Sequence, residues 1–243
     1  MENMLSRTKL LIGEQKVKAL KSSSVAVFGI GGVGSAAVEA VCRAGIGEIH
    51  LIDADVFSVS NLNRQIFATL NNIGQKKVDV AENRILSINP ECKVYKYPVF
   101  FLPENSDSID FSRFNYVIDA VDTVTAKIEI AKKCKEFSVS LISVMGTGNR
   151  LDADFKVTDI YNTSGCSLAR VMRGLCRKNN IDELKVVYSE DAPVTPVGPA
   201  AKQSGNTRRD VPGSISFVPP VAGYIAAGEA IKYLIKGEEK NEI

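Results

Sequence analysis

The chain has 243 residues, of which 45% are hydrophobic, enough for one sizeable core or for one large domain carrying a smaller appendage. Thirty Lys and Arg against 28 Asp and Glu leave a formal charge of +2, which excludes a uniformly basic nucleic-acid coat and an acidic disordered protein, so any polyanion site has to be local. The cysteines at 42, 92, 134, 166 and 176 are odd in number and include no C-x-x-C pair, which argues against a disulfide framework or a zinc knuckle and fits a reducing cytoplasm.

The opening MENMLSRTKLL lacks the apolar core of a signal peptide, and no run reaches the roughly 18 apolar residues of a spanning helix, so no membrane is expected. Leu10, Val17 and Leu20 among charges predict an N-terminal arm over 1–24 with a short helix, outside the core and exposed enough to reach a partner. Val25 to Phe28 reads as a strand that runs into a glycine cluster, and Ser35 to Arg43 as a helix. Glu48 to Ile52 is a second strand ending at Asp53, and Val78 to Ile88 is a helix stopped by Asn89-Pro90. Strands follow at Lys93 to Phe100, Tyr116 to Val121 and Val139 to Val144, with a helix from Thr125 to Phe137 between the last two. Alternating strands and helices over 25–150 imply an α/β fold, a mostly parallel sheet with helices on both faces. Beyond Leu151 a strand near 154–160, a helix over 166–179 and a strand from Leu184 to Ser189 predict a mixed α+β extension of that sheet. Prolines and glycines over 190–220 make a loop long enough to be functional, and Val221 to Ile235 closes the chain as an apolar helix before a charged tail.

Gly29-Ile30-Gly31-Gly32-Val33-Gly34 satisfies G-x-G-x-x-G between a predicted strand and a predicted helix, where missing side chains let the backbone approach a nucleotide and the helix N-terminus favours anions. Asp53 ends the next strand about 20 residues on, the place for an acid that binds a ribose hydroxyl, so a Rossmann-like nucleotide site is expected. Downstream, Ser60-Asn61-Leu62-Asn63-Arg64-Gln65 and Gly74-Gln75-Lys76-Lys77 bring cations that a dinucleotide dehydrogenase does not need. Arg64 and Lys77 are placed to neutralise phosphate charge as pyrophosphate leaves, although singly each reads as a solvated surface residue. Asp122, in Asp119-Ala120-Val121-Asp122 at a strand's carboxyl end, is a candidate magnesium ligand or a turn former.

These motifs together resemble the superfamily of ubiquitin-activating enzymes and their bacterial thiamin- and molybdopterin-pathway relatives. The resemblance implies ATP bound by Gly29, Gly31, Gly32, Gly34, Asp53 and Asp55, with Asn61, Arg64, Gln65 and Lys77 around the phosphates and magnesium on Asp122. It further implies a homodimer in which Arg7, in Ser6-Arg7-Thr8, enters the partner's site. The arm, the nucleotide half over 25–150 and a substrate and dimer half over 151–243 then form one adenylating domain. The start S-R-T-K-L-L-I-G, Asn89-Pro90-Glu91-Cys92 and G-S-I-S-F-V-P-P-V-A-G at 213–223 are similar to the subfamily of dehydratases that act on threonylcarbamoyladenosine in tRNA. That similarity implies adenylation of a carboxylate on the modified adenosine, followed by cyclisation.

The sulfur-carrier activators of this superfamily usually carry two C-x-x-C pairs, and none is present here. Adenylation of a carrier's C-terminal glycine, with a sulfur-transfer or desulfurase partner, stays as an alternative; an NAD-dependent oxidoreductase and a silent binding module are others. Cys166 and Cys176 read as small apolar helix residues, and His50, the only histidine, as a strand residue and not a base. Thr123 stands where relatives often carry Asn and receives no role. For tRNA, Arg170, Arg173 and Arg177 share one face of the predicted helix at i, i+3 and i+7, with Leu168, Val171 and Leu175 expected on the core side and Lys202, Arg208 and Arg209 extending the cationic ridge.

Overall fold

The structure, a computed structural model, describes residues 3–198 and 212–236. Among them run α1 (Ser6–Ile12), α2 (Glu14–Ser22), β1 (Ser24–Phe28), α3 (Gly32–Arg43), β2 (Glu48–Ile52), α4 (Lys77–Ile88), β3 (Lys93–Tyr97), β4 (Tyr116–Asp119), α5 (Val124–Glu136), β5 (Ser140–Val144), β6 (Lys156–Asp159), α6 (Ser167–Lys178), β7 (Lys185–Tyr188) and α7 (Val218–Lys236). The strands form one sheet in the order β3-β2-β1-β4-β5-β7-β6, parallel throughout except for β6, which pairs antiparallel with β7 at the edge.

The sequence of β1 shows why it sits at the centre. All five of its residues are buried, and its apolar side chains serve both faces in alternation. Val25 and Val27 join the core beneath α3, α4 and α7, whereas Ala26 and Phe28 pack with Phe101, Phe111 and Ile130 on the other face. Each such fully buried Val or Phe contributes about 1.5–3 kcal/mol relative to exposure. A third cluster joins α6 to β7 through Met172, Cys176 and Val186. The strand order reverses between β1 and β4, and in an open parallel sheet the crevice beyond the carboxyl ends at that point is where ligands bind.

Three expectations need correction. The arm is not wholly outside the core: α2 buries Val17 and Leu20 and packs against α7, while α1 buries nothing. The helix after the glycine loop begins at Gly32, not Ser35, so Gly32 and Gly34 lie in its first turn. Pro219 and Pro220 belong to the first turn of α7, where a missing N–H costs no hydrogen bond and a fixed φ favours the helix.

Candidate functional site

Gly29 adopts φ +85°, and a Cβ there would stand 2.9 Å from the Ala120 carbonyl oxygen; one at Gly34 would overlap the Gly29 carbonyl at 1.7 Å. Only glycine permits this close lacing of the β1 loop, the first turn of α3 and the turn after β4. Gly31 differs: the nearest atom to a Cβ there would be Gln65 Nε2 at 3.9 Å, an ordinary contact, so its flank is not crowded by backbone. No side chain caps the N-terminus of α3, which leaves its first N–H groups available to an anion.

Asp53 braces this loop, since its Oδ2 accepts from Ile30 N at 2.6 Å and its Oδ1 from Asp55 N at 2.8 Å. Burial pushes its carboxyl upward in pKa, against the lowering effect of Lys77 at 3.8 Å. Lys77 is itself buried and donates to Asp55 Oδ2 at 2.7 Å. Its backbone N–H also bonds the Asp55 carbonyl, next to the Val56–Lys76 bridge, so two segments far apart in sequence are clamped together.

The turn over 61–65 supplies the next groups. Asn61 Oδ1 accepts from Ser58 N, and its carbonyl accepts from Arg64 N and Gln65 N. The stem of Arg64 lies against Gly32, its Cγ 3.3 Å from where a Cβ would be. Its guanidinium donates to the Ser60 carbonyl and Asn63 Oδ1 at 3.0 and 2.9 Å and has no carboxylate partner among the described residues; burial lowers its pKa. Gln65 is buried with its Nε2 beside Gly31, and its Oε1 has no hydrogen-bond partner. Asp122, in the turn after β4, is exposed, with one contact at 3.4 Å from Thr123 Oγ1.

The glycine loop, Asp53, Asp55 and Lys77 are joined by these contacts, Arg64 and Gln65 lie beside Gly32 and Gly31, and Asp122 follows the Ala120 carbonyl that abuts Gly29, a set of groups that could receive a nucleoside triphosphate. No group of three or more His, Cys, Asp or Glu that could hold a metal occurs among the described residues. Asp122, an exposed carboxylate, could hold magnesium of the kind bound by one or two carboxylates plus substrate phosphates.

Arg7 is not brought to this crevice in its own chain. It is exposed on α1, and Leu5, two residues before it, packs on Gly45 just ahead of β2, at the amino edge of the sheet opposite the glycine loop. Leu10 and Leu11 on the same short helix are 88% and 85% exposed.

The cationic ridge needs correction. On α6 the core face is Ala169, Met172 and Cys176, one residue later than expected, and Val171 is half exposed. Arg173 turns inward to donate to the Thr163 carbonyl at 2.8 Å and to its hydroxyl, and Arg177 lies over the Tyr161 ring at 5.2 Å. Arg170 alone of the three stands exposed without such a contact. Lys202, Arg208 and Arg209 lie outside the described residues. Cys166 and Cys176 are buried free thiols, Cys176 raised in pKa to about 11 by burial. His50 is fully buried in β2, stacked on Tyr95, and burial lowers it to about 4.

Two features escaped the sequence. Lys127 forms a buried ion pair with Asp119 at 3.0 Å beneath the crevice. Asn149, at φ +55°, bonds Gly213 through both its N–H and its Oδ1 and receives Val194 N at its carbonyl, while Asn63 Nδ2 donates to the Ser214 carbonyl. The segment 212–214 thus passes beside the Arg64 turn. A lysine inside the apolar stripe of α5 was the available signal for the first; nothing in the sequence marked the second.

The ThiF family model matches residues 5–242. The chain is 39% identical to the tRNA threonylcarbamoyladenosine dehydratase of Bacillus subtilis over 98% of its length and 97% of the relative, and 35% identical to the Escherichia coli enzyme of that name over 94% and 92%. Its fold superimposes on the crystal structure of E. coli tRNA N6-threonylcarbamoyladenosine dehydratase in complex with ATP with a TM-score of 0.85, at 32% identity over 98% of this chain and 96% of that one; the complex with AMP also gives 0.85. The chain belongs to the ThiF family.

Proposed function

We propose that this chain is an ATP-dependent tRNA threonylcarbamoyladenosine dehydratase, which adenylates the carboxylate of the modified adenosine and lets it cyclise with release of AMP and pyrophosphate. The observation that carries the reading is Arg64, a partly desolvated cation without a carboxylate partner, set against the glycine loop. Near-full-length similarity to dehydratases of that name, one of them solved with ATP, supports the choice of substrate.

In this reading the glycine loop and the first turn of α3 receive the phosphates, and Asp53 holds both the loop and the ribose. Attack of the substrate carboxylate on the α-phosphorus forms the acyl-adenylate and moves negative charge onto the departing pyrophosphate. Arg64 and Lys77 stabilise that charge electrostatically. Lys77 exchanges Asp55 for phosphate oxygens as the nucleotide enters, and Gln65 gives its N–H groups to the same cluster. Asp122 would hold magnesium, which would supply positive charge against the phosphates. Expulsion of AMP during ring closure completes the net loss of one water.

The homodimer and the entry of Arg7 into the partner's site belong to this proposal, supported by the arm's anchorage at the far edge of the sheet and the exposed Leu10 and Leu11. A two-fold dimer then has two equal sites. We place the enzyme in the cytoplasm with tRNA; no helix among the described residues is long and apolar enough to cross a membrane. Pyrophosphate release from ATP, assayed with modified tRNA, with a carrier protein and with neither, tests the reading. Dependence on the carrier protein would overturn it.

A further inference from the structure

Lys127 has no solvent exposure, and all three of its ammonium protons are used: 3.0 Å to Asp119 Oδ2, 3.2 Å to Ser143 Oγ and 2.8 Å to the Val144 carbonyl. Ser143 Oγ donates to the same Asp119 oxygen at 2.5 Å. A fully buried ion pair rarely stabilises a fold more than apolar side chains of equal volume, so its place in the molecule carries the information.

That place is the carboxyl edge of the sheet. Asp119 and Ser143 are register partners at the ends of β4 and β5. The other carboxylate oxygen of Asp119 accepts from Val121 N at 3.1 Å, which closes a tight turn and fixes the backbone that leads to Asp122. The Ala120 carbonyl within that turn is the atom against which Gly29 packs, so the same turn abuts the glycine loop. From Val144 the chain runs on to Asn149, which holds the 212–214 segment. One ammonium thereby joins the turn bearing Asp122 to the strand end that leads to the opposite wall.

We propose that Lys127 is a positioning residue for the adenylation reaction: through Asp119 and the Val121 N–H it holds Asp122 at a fixed place relative to the glycine loop, and so sets how readily the site takes up magnesium with ATP. The inference rests on the reading above that Asp122 meets magnesium. Its effect is on metal uptake more than on nucleotide affinity, because Arg64 and Lys77 are held by other contacts and Asp53 braces the glycine loop through the Ile30 N–H, although the Ala120 carbonyl also abuts Gly29.

The test uses the full chain with Lys127→Met and Asp119→Asn together, since removing the lysine alone would leave a buried carboxylate unpaired. Calorimetry measures ATP affinity with the metal chelated and again across a magnesium titration, alongside pyrophosphate exchange and a thermal melt. We expect cooperative melting, metal-free ATP affinity within about 2-fold of the parent, and a magnesium midpoint raised about 10-fold or more. Asp122→Asn should raise that midpoint by itself, and adding it to the double variant should change little, as for residues acting as one unit. If the double variant folds with an unshifted midpoint while Asp122→Asn shifts it, Lys127 only packs the interior and the inference is overturned. If Asp122→Asn also leaves the midpoint in place, the magnesium reading of Asp122 falls and the inference with it. Should the double variant fail to fold, Ser143→Ala keeps both charges, removes one of the ammonium's contacts and carries the same test at smaller amplitude, with an unshifted midpoint again overturning it.

Discussion

Lys77 and Asp55 are bound twice over: the ammonium donates to the Asp55 carboxylate at 2.7 Å, and the Lys77 backbone N–H donates to the Asp55 carbonyl at 3.0 Å. The side chains differ sharply in surroundings, with Lys77 6% exposed and Asp55 65%. Asp55 can therefore swing into water while Lys77 stays buried beside Asp53, 3.8 Å from its carboxylate. Lys77→Ala is expected to lower the rate of pyrophosphate exchange about 100-fold, the range for losing a charge that meets the transition state. The same loss should appear when Asp55 is already Ala, because the lysine acts on the phosphates. If the cost of Lys77→Ala vanished in the Asp55→Ala background, the lysine would serve only to neutralise that carboxylate.

Arg7 is expected to work across a dimer. Arg7→Ala and Asp122→Ala chains should each be inactive alone, and their mixture should regain activity from heterodimers holding one complete site. Sedimentation and mass spectrometry check that subunits exchange. A mixture that exchanges and stays inactive would place Arg7 in its own site or in none.

On α6 the three arginines should part company. Arg170→Gln should weaken tRNA binding and lower the slope of log affinity against log salt by roughly 0.7 to 0.9, the effect of one lost phosphate contact. Arg173→Gln should chiefly cost stability, about 1–3 kcal/mol in urea unfolding, since it leaves the buried Thr163 hydrogen bonds unmade. A Arg170→Gln slope equal to the parent's would mean that tRNA docks elsewhere.

His50 makes stability depend on pH. Burial lowers it from 6.5 to about 4, so between those values the unfolded chain binds a proton that the folded chain does not. Its contribution is complete above about pH 6.5 and is lost as pH falls toward 4. Between pH 7 and 4.5 the parent should lose about 2–3 kcal/mol more than His50→Phe in paired urea titrations. Equal losses would show that the imidazole is protonated in the folded state.

The central sheet and the crevice were legible because their signals are local. Apolar runs of strand length alternate with helical periodicity, and Gly29 to Gly34 follows a strand and opens a helix. What the sequence withheld depends on tertiary partners. On α6, Leu168, Val171 and Leu175 share a spacing with Ala169, Met172 and Cys176; spacing cannot choose between adjacent stripes, and the contacts with α5 and the turn over 160–162 turn the second stripe inward, with Leu168 and Leu175 packing at its margin. Leu20 looked like part of a charged arm until α7, more than 190 residues later, closed over it. Lys127 went unmarked in the sequence because its partners lie on two strands distant from its own helix.

The central claim is that this enzyme removes one water from a tRNA carboxylate at the expense of ATP. The direct measurement incubates the protein with ATP, magnesium and tRNA carrying threonylcarbamoyladenosine, then digests the tRNA and reads nucleoside masses beside released AMP and pyrophosphate. The account predicts a nucleoside lighter by one water, formed in step with AMP, and abolished on this timescale by Arg64→Ala. An unchanged nucleoside mass with active, ATP-binding protein, or a mass loss that proceeds without ATP, would contradict it.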